Sequence, residues 1–242
     1  MASVSQPDAL RFERDRAGPS RLDRPDLFPR GPDDFHSVVV VNNPSSVMAE
    51  AVRGLRTRIM AQHVQAGRRA LAVCGATQDS GCTFVAANLA VALAQIGVRT
   101  ALVDADLRHP SLDTLLGVAQ AAPGLSDYLA DDRLGIHDVV GDPVVPCLSF
   151  VAAGSPRSNP QELLATARFA AFASQLLREH QITIFDTTAA NGCTDAQRVA
   201  TVAGYSLVVA RKDTSFVSDL ATLARLLRAD GSKIVGSVLV DY

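Results

Sequence analysis

The 242-residue chain lacks an apolar run long enough to cross a lipid bilayer. Its longest apolar stretch, residues 84–98, contains Asn88 and Gln95, whereas a membrane-spanning helix needs about 20 mainly apolar residues. A secretory signal is also lacking, because charged residues occur near the start of the chain, where such a signal needs a continuous apolar core. We therefore expect a cytoplasmic protein.

The chain also lacks an excess of positive charge. Its 23 basic and 25 acidic residues leave a net charge of −2, so no global positive field exists to hold nucleic acid, and we expect no nucleic-acid partner. Apolar material is plentiful, since 48% of the residues are hydrophobic. This excludes a wholly disordered protein and suffices for one large domain or two small ones.

Paired cysteines are missing as well. The four cysteines contain no CxxC spacing and the five histidines are widely separated, which fits neither a disulfide framework nor a zinc site. We therefore expect no metal ion held by protein side chains alone. Lysine is scarce, since only Lys212 and Lys233 accompany the arginines.

Residues 1–36 differ in composition from the rest of the chain. They hold seven acidic side chains, six basic side chains and five prolines, which predicts a disordered arm. Residues 37–242 are expected to form one domain with an α/β fold, a parallel sheet sandwiched by helices, because apolar runs alternate there with helical patterns. The predicted strands cover 70–74, 100–103, 148–151, 182–185, 205–210 and 233–240, and the predicted helices cover 45–64, 83–97, 160–180, 195–203 and 215–229.

A loop with the sequence GATQDSGCT, residues 75–83, joins the first predicted strand to a helix. Backbone N–H groups of such a loop and of the following helix form a cradle for phosphates, and the Thr83 hydroxyl takes the position of a magnesium ligand. Compared with the pattern GxxxxGK followed by Ser or Thr, the loop keeps Gly81 but has Ala76 for the first glycine and Cys82 for the lysine. Alone, this loop is a weak signal.

Three aspartates follow predicted strands. Asp104 and Asp106 stand at alternate positions in ALVDADLRHP, and Asp186 ends the apolar run in ITIFDTT. Because alternate residues of an extended segment share a face, two such carboxylates can hold a hydrated magnesium ion or take a proton from an attacking hydroxyl. Ordinary solvated aspartates are the alternative. In a parallel sheet, the phosphate loop and all three carboxylates are expected at one crevice.

The order of these blocks resembles the cytoplasmic kinase domain of bacterial tyrosine kinases, P-loop proteins that act with polysaccharide co-polymerases in capsule and exopolysaccharide export. The resemblance covers residues 43–241 and implies the fold of partition and septum-site ATPases, a role in extracellular polysaccharide production and recruitment to the inner membrane face by a membrane co-polymerase. Its blocks are NPSSVMAEAVRGLRTRI, SGCTFVAANLAVALAQ, LVDADLRHPSLDTLLG, GLSDYL, AAGSPRSNPQELL, IFDTT and VVARKDTS.

The resemblance also implies roles for single residues. It makes Asp104 and Asp106 the catalytic candidates, and Thr83, Asp104 and Asp186 the ligands of a magnesium ion that arrives with ATP or ADP. The implied nucleotide-binding set is Gly75, Gly81, Cys82, Thr83, Asp104, Asp106, Asp186 and Lys212.

A charged motif precedes this loop in the chain. Glu50, Arg53 and Arg56 match the family's ExxRxxR motif, which is associated with ring-like self-assembly and implies a homo-oligomer. Their spacing places all three on one side of a helix. A solvated charged helix face is the alternative interpretation.

The sequence departs from the family at the phosphate loop. A neutral thiol at Cys82 cannot replace a charged phosphate contact worth about 1.5–3 kcal/mol, and Asp79 adds a carboxylate to the loop. Thr188 and Ala189 stand where the family has two prolines. The family's tyrosine cluster is also not seen, since the tyrosines are Tyr128, Tyr205 and Tyr242, so we expect no autophosphorylated tail and an activator on another polypeptide.

Three functions are compatible with this pattern. The preferred hypothesis is a catalytically impaired scaffold or regulator whose binding of ATP or ADP and magnesium is weakened or lost. The second is an active tyrosine autokinase in which Lys212 or Arg108 replaces the missing lysine. The third is a partition-type positioning ATPase. The evidence against it is that such proteins usually carry an additional lysine early in the loop, whereas residues 76–78 contain none.

Overall fold

The computed structural model describes residues 38–118, 123–141 and 143–241. The predicted arm, residues 1–36, lies outside the described residues, as does Tyr242. The strands form one parallel sheet in the order β3-β2-β4-β1-β5-β6, which confirms the predicted fold class. Their bounds are β1 Ala70–Gly75, β2 Thr100–Asp104, β3 Leu148–Val151, β4 Ile182–Asp186, β5 Tyr205–Arg211 and β6 Lys233–Val240.

Helices cover both faces of this sheet, as parallel strands joined by crossover connections require. One face carries α1, α2, α3 and α4, and the other carries α5 to α10. A π-helical turn, Met60–Val64, continues α2. The helices are α1 Val39–Asn42, α2 Val47–Ile59, α3 Cys82–Ala94, α4 Leu112–Leu116, α5 Leu125–Ala130, α6 Ile136–Val139, α7 Pro160–Ala165, α8 Ala167–Glu179, α9 Asp195–Ala203 and α10 Val217–Ala229.

The predicted helix over 160–180 is two helices. Thr166 has an extended backbone, with φ −71° and ψ 154°, and its hydroxyl accepts a hydrogen bond from the N–H of Phe169. A threonine in this geometry caps the N-terminus of a new helix, so α7 ends and α8 begins at this residue. The apolar pattern continues across the break, because both helices bury one side against the same face of the sheet.

Strand register places the predicted site at one edge of the sheet. Asp104 at the end of β2 is aligned with Asp186 at the end of β4, and Gly75 at the end of β1 is aligned with Val209 of β5. These strands run in the same direction, so their carboxyl ends meet where the chain leaves β1 for α3. None of the helices in the described ranges is long and apolar enough to cross a membrane.

Candidate nucleotide site

The loop between β1 and α3 is folded tightly by two glycines. Gly81 has φ +91°, in the left-handed region that glycine adopts without steric cost, and α3 starts directly after it without a side-chain cap. A Cβ at Gly75 would lie 2.0 Å from Ser80 Oγ, so only glycine allows the loop to fold back this closely. The backbone N–H groups at the start of α3 are therefore available to an anion.

A cavity of about 690 Å³ opens over this loop. Residues of the loop form one side of the cavity, and residues at or after the ends of β2, β4 and β5 form the other sides. This is the arrangement expected at the carboxyl edge of a parallel sheet. Its wall contains Thr77, Gln78, Asp79, Ser80, Gly81, Cys82, Thr83, Phe84, Asp106, His109, Ser111, Thr114, Leu115, Thr187, Ala189 and Arg211.

Two buried carboxyl groups lie side by side below this cavity. Burial and, to a smaller extent, the neighbouring charge of Asp106 raise the pKa of Asp104 to about 7. Hydrogen bonds that Asp104 accepts from the N–H groups of Leu112, Asp106 and Ser111 oppose this rise. Burial and the charge of Asp104 raise the pKa of Asp186 well above its ordinary value.

The Asp186 carboxylate is incompletely satisfied. The Thr83 hydroxyl forms a hydrogen bond with it, but Asp186 Oδ1 is buried and has no hydrogen-bond partner among the described residues. Carboxylate and hydroxyl oxygens are the ligands that Mg²⁺ prefers, so Thr83, Asp104 and Asp186 fit this ion. No group of three or more His, Cys, Asp or Glu residues in the described parts of the chain is arranged to hold a metal. Further ligands would have to come from phosphate oxygens and water.

Asp106, the other catalytic candidate, lies in the cavity wall rather than below it. Its Oδ1 accepts hydrogen bonds from the N–H groups of Arg108, at 3.1 Å, and His109, at 2.9 Å. These bonds hold the carboxylate in a fixed position at the mouth of the site. The structure thus brings the loop and all three predicted aspartates together.

Cys82 occupies the first position of α3 with its side chain buried. Its Sγ lies 3.3 Å from Ser80 Oγ. Burial raises the pKa of the Cys82 thiol well above its ordinary value, and the negative charge of Asp186 raises it further. The residue is therefore a neutral thiol at physiological pH, and the loop has no cation at this position.

The two cations that the sequence suggested as substitutes have other partners. Arg108 forms two hydrogen bonds with the carboxylate of Asp195, at 2.7 and 3.3 Å. Lys212 Nζ lies 2.9 Å from Asp241 Oδ2, and Lys212 is not part of the cavity wall. Its contact with a nucleotide stays a prediction.

Sequence reasoning missed Arg211, the residue before Lys212. Arg211 ends β5, lies in the cavity wall and donates a hydrogen bond from Nη1 to the Asp79 carbonyl oxygen at 3.5 Å. It is the only lysine or arginine among the described residues of that wall. Strand alternation indicates that only one of the two consecutive residues can face the loop, but it does not say which one.

The ExxRxxR motif lies on α2, as predicted. Arg53 forms an ion pair with Glu50 at 3.1 Å, and Arg56 donates a hydrogen bond to the Ala92 carbonyl oxygen of α3 at 3.3 Å. Arg56 therefore ties α2 to α3, whereas Glu50 and Arg53 pair at the surface. The role of these three residues in self-assembly stays a prediction.

Comparison with known proteins identifies relatives for most of the chain, although no family model matches it. The chain is 29% identical to the tyrosine-protein kinase CapB of Staphylococcus aureus, itself described as putative, over 83% of this chain and 87% of CapB. It is 32% identical to AmsA of Erwinia amylovora, which is also described as a tyrosine-protein kinase of putative status, over 86% of this chain. It spans only 28% of AmsA.

Solved structures agree with these relatives. The kinase domain of the Escherichia coli tyrosine kinase ETK matches with a TM-score of 0.78 and 30% identity, covering 84% of this chain and 79% of that domain. The chimerical protein CapA2B2 also matches with a TM-score of 0.78, at 29% identity, covering 86% of this chain and 90% of the chimera. The cell division ATPase MinD of Pyrococcus furiosus shares the fold, with a TM-score of 0.63. By sequence and by fold, the chain belongs to the bacterial tyrosine kinase family, and the part of these proteins that it matches is the kinase domain.

Proposed function

We propose that this chain acts with a membrane polysaccharide co-polymerase in the production of extracellular polysaccharide, as a scaffold or regulator with impaired phosphotransfer. The proposed impairment is supported by the buried neutral thiol of Cys82 at the start of α3, where related kinases are expected to have a lysine. The partner class is supported by the likeness to CapB and to the chimerical protein CapA2B2.

The missing cation affects transfer more than binding. Groups that stabilise charge as it develops during a reaction are worth more in a site shielded from water than they contribute to ground-state binding. The Cys82 sulfur lies 3.3 Å from Ser80 Oγ, and its pKa is raised by the negative charge of Asp186, so neither of these groups supplies positive charge at this position. We therefore expect phosphoryl transfer to be slow even where a nucleotide binds.

The rest of the site supports residual binding of a nucleotide, although this binding is weakened by the missing lysine. The start of α3 offers backbone N–H groups to phosphates, and Thr83, Asp104 and Asp186 would hold the magnesium ion that accompanies them. Bound Mg²⁺ would neutralise phosphate charge and supply the cation that the carboxyl pair lacks. Asp106, whose Oδ1 is held in the cavity wall by the N–H groups of Arg108 and His109, would accept the proton of the attacking hydroxyl.

Purified wild-type protein is expected to show no autophosphorylation above background when incubated with Mg·ATP. The measurement is phosphotyrosine by mass spectrometry together with release of ADP, with the Asp104→Asn and Asp106→Asn variants as blanks. Tyrosine phosphorylation or rapid ATP consumption that the wild type shows and both variants lack would overturn the proposed impairment.

Active autokinase is the second candidate, and the position of Arg211 favours it. Its guanidinium is the permanent cation in the cavity wall and reaches the loop at the Asp79 carbonyl, on the β5 side. The Cys82 sulfur instead contacts Ser80 and senses the charge of Asp186, which belongs to β4. Cys82 and Arg211 nevertheless belong to the same cavity wall, so in an active kinase Arg211 would bring a cation to the phosphate chain in place of the lysine.

Replacing Arg211 with glutamine is expected to lower the affinity for Mg·ATP about five- to tenfold. The change replaces a charged hydrogen bond to phosphate with a neutral one from the glutamine amide, a difference of roughly 1–1.5 kcal/mol. The amide still offers an N–H donor to the Asp79 carbonyl. The measurement is titration with a fluorescent ATP analogue. Lys212→Gln, which removes the same charge one residue later, is the control and should stay within twofold of wild type. Equal effects of both variants would contradict a specific contact.

A further inference from the structure

A second cavity lies at the opposite end of the sheet from the nucleotide site. It has a volume of about 600 Å³ and is bounded by the end of α2, the π-helical turn and the amino ends of β5 and β6. We call it the basic cavity. Its wall contains Leu55, Arg58, Ile59, Gln62, His63, Arg68, Tyr205, Leu207, Lys233, Ile234, Val235, Gly236 and Ser237.

The charges around this cavity all have the same sign. Arg58, Arg68 and Lys233 lie in its wall, and no aspartate or glutamate is among the wall residues. None of the three forms an ion pair with any residue that the structure describes. Three positive charges in one cavity wall without acidic partners favour an anionic ligand, because like charges repel until an anion is bound.

His63 adds an unsatisfied acceptor to the wall. Its side chain is completely buried, and its Nε2 lies 2.9 Å from the Ala70 carbonyl oxygen, which can only accept, so Nε2 carries the proton. Burial lowers the pKa of His63, and the nearby Arg68 charge lowers it further, so the ring is neutral and Nδ1 is an acceptor. Nδ1 has no partner among the described residues. A buried acceptor without a donor is costly, and a ligand hydroxyl would satisfy it.

The groups around His63 are already held in place. The Tyr205 ring packs edge-on against the imidazole at 4.9 Å, and the Arg68 guanidinium lies 5.2 Å from the centre of the Tyr205 ring. Arg68 also donates a hydrogen bond to the Gln62 carbonyl oxygen at 3.1 Å. His63 itself belongs to the π-helical turn Met60–Val64, a rare local structure that often occurs at functional sites.

We propose that the basic cavity binds a phosphorylated sugar or polyol, with the phosphate at Arg58, Arg68 and Lys233 and a ligand hydroxyl donating to His63 Nδ1. The cavity volume lies within the range of about 300–1,000 Å³ found for small-molecule sites. The same chemistry is offered by a soluble sugar phosphate and by the inositol phosphate headgroup of a lipid.

The test is calorimetric titration of the whole chain with glucose 6-phosphate. The Arg58→Gln/Lys233→Gln double variant should bind at least tenfold more weakly than wild type. Arg225→Gln/Arg228→Gln is the matched control, because it removes two positive charges from α10, outside this wall, and should bind as wild type. Binding should persist in Arg211→Gln, which alters the nucleotide cavity only. Loss of binding there, or equal losses in both double variants, would overturn the proposal.

Two further arms test the hydroxyl and the source of the ligand. Sulfate has no O–H donor at neutral pH and should bind at least fivefold more weakly than glucose 6-phosphate, whereas equal binding would overturn the role of a ligand hydroxyl at His63 Nδ1. In the second arm, vesicles of phosphatidylcholine with phosphatidylinositol 4-phosphate are sedimented with the protein. Cosedimentation that the Arg58→Gln/Lys233→Gln variant loses supports a lipid headgroup, and glucose 6-phosphate binding without cosedimentation supports a soluble ligand. Failure of both ligands to bind would overturn the proposal.

Discussion

Replacing Cys82 with lysine is expected to raise the affinity of this chain for Mg·ATP about ten- to a hundredfold. A charged hydrogen bond is worth roughly 1.5–3 kcal/mol, and every 1.4 kcal/mol changes a dissociation constant about tenfold. Any contact of that lysine with Asp186 would form with and without the nucleotide, so the expected gain comes from the phosphate contact alone.

Titration of both proteins with a fluorescent ATP analogue measures this change. Cys82→Met is the matched control, since it lengthens the buried side chain without adding charge, and it should bind no more tightly than wild type. Thermal unfolding of both variants shows whether the longer side chains strain the start of α3. A well-folded Cys82→Lys variant with unchanged affinity would mean that another cation already meets the phosphates, and would favour the active-kinase candidate.

Arg168→Ala is expected to lower the free energy of unfolding by about 3 kcal/mol. The Arg168 side chain crosses from α8 to the end of α5, where its guanidinium donates hydrogen bonds to the carbonyl oxygens of Tyr128, Asp131 and Leu134 at 2.6–2.9 Å. It also covers the Tyr128 ring at 4.1 Å. Truncation leaves three carbonyl groups without this donor and removes the cation–π contact, and the separate losses sum to a figure of this order.

Arg133→Ala is the control for this prediction. Arg133 forms an ion pair with Asp131 at 2.7 Å, but its side chain is 90% exposed, and such exposed pairs contribute little to stability. Urea unfolding of both variants, followed by circular dichroism, gives the comparison. Equal changes in the two variants would show that the carbonyl contacts of Arg168 contribute little beyond a surface charge.

The sheet could be predicted from the sequence because its information is local. Each buried strand of a parallel sheet is a short apolar run, and the phosphate loop and the aspartates directly follow such runs. The break at Thr166 escaped prediction for the opposite reason. An apolar pattern continues through it, and only the hydrogen bond from the Phe169 N–H to the threonine hydroxyl separates α7 from α8.

The choice between Arg211 and Lys212 depended on information that the sequence does not contain. Both follow the same apolar run, and only the register of β5 against β1 and β6 decides that Arg211 faces the loop while Lys212 meets Asp241. The basic cavity escaped for a similar reason. Arg58, Arg68 and Lys233 come from segments far apart in the chain, and the fold alone brings them together.

The parallel pairing of β5 and β6 also separates the two lysines of the chain. Lys233 begins β6, and Lys212 lies beside the far end of that strand, where its N–H bonds to the Val240 carbonyl. The backbones of the two residues are therefore roughly 20–25 Å apart at about 3.3 Å per residue. An acylating reagent would therefore mark each end of the sheet once. Its rate of reaction with Lys233 would report on ligand occupancy of the basic cavity, and its reaction with Lys212 would serve as an internal standard in the same molecule.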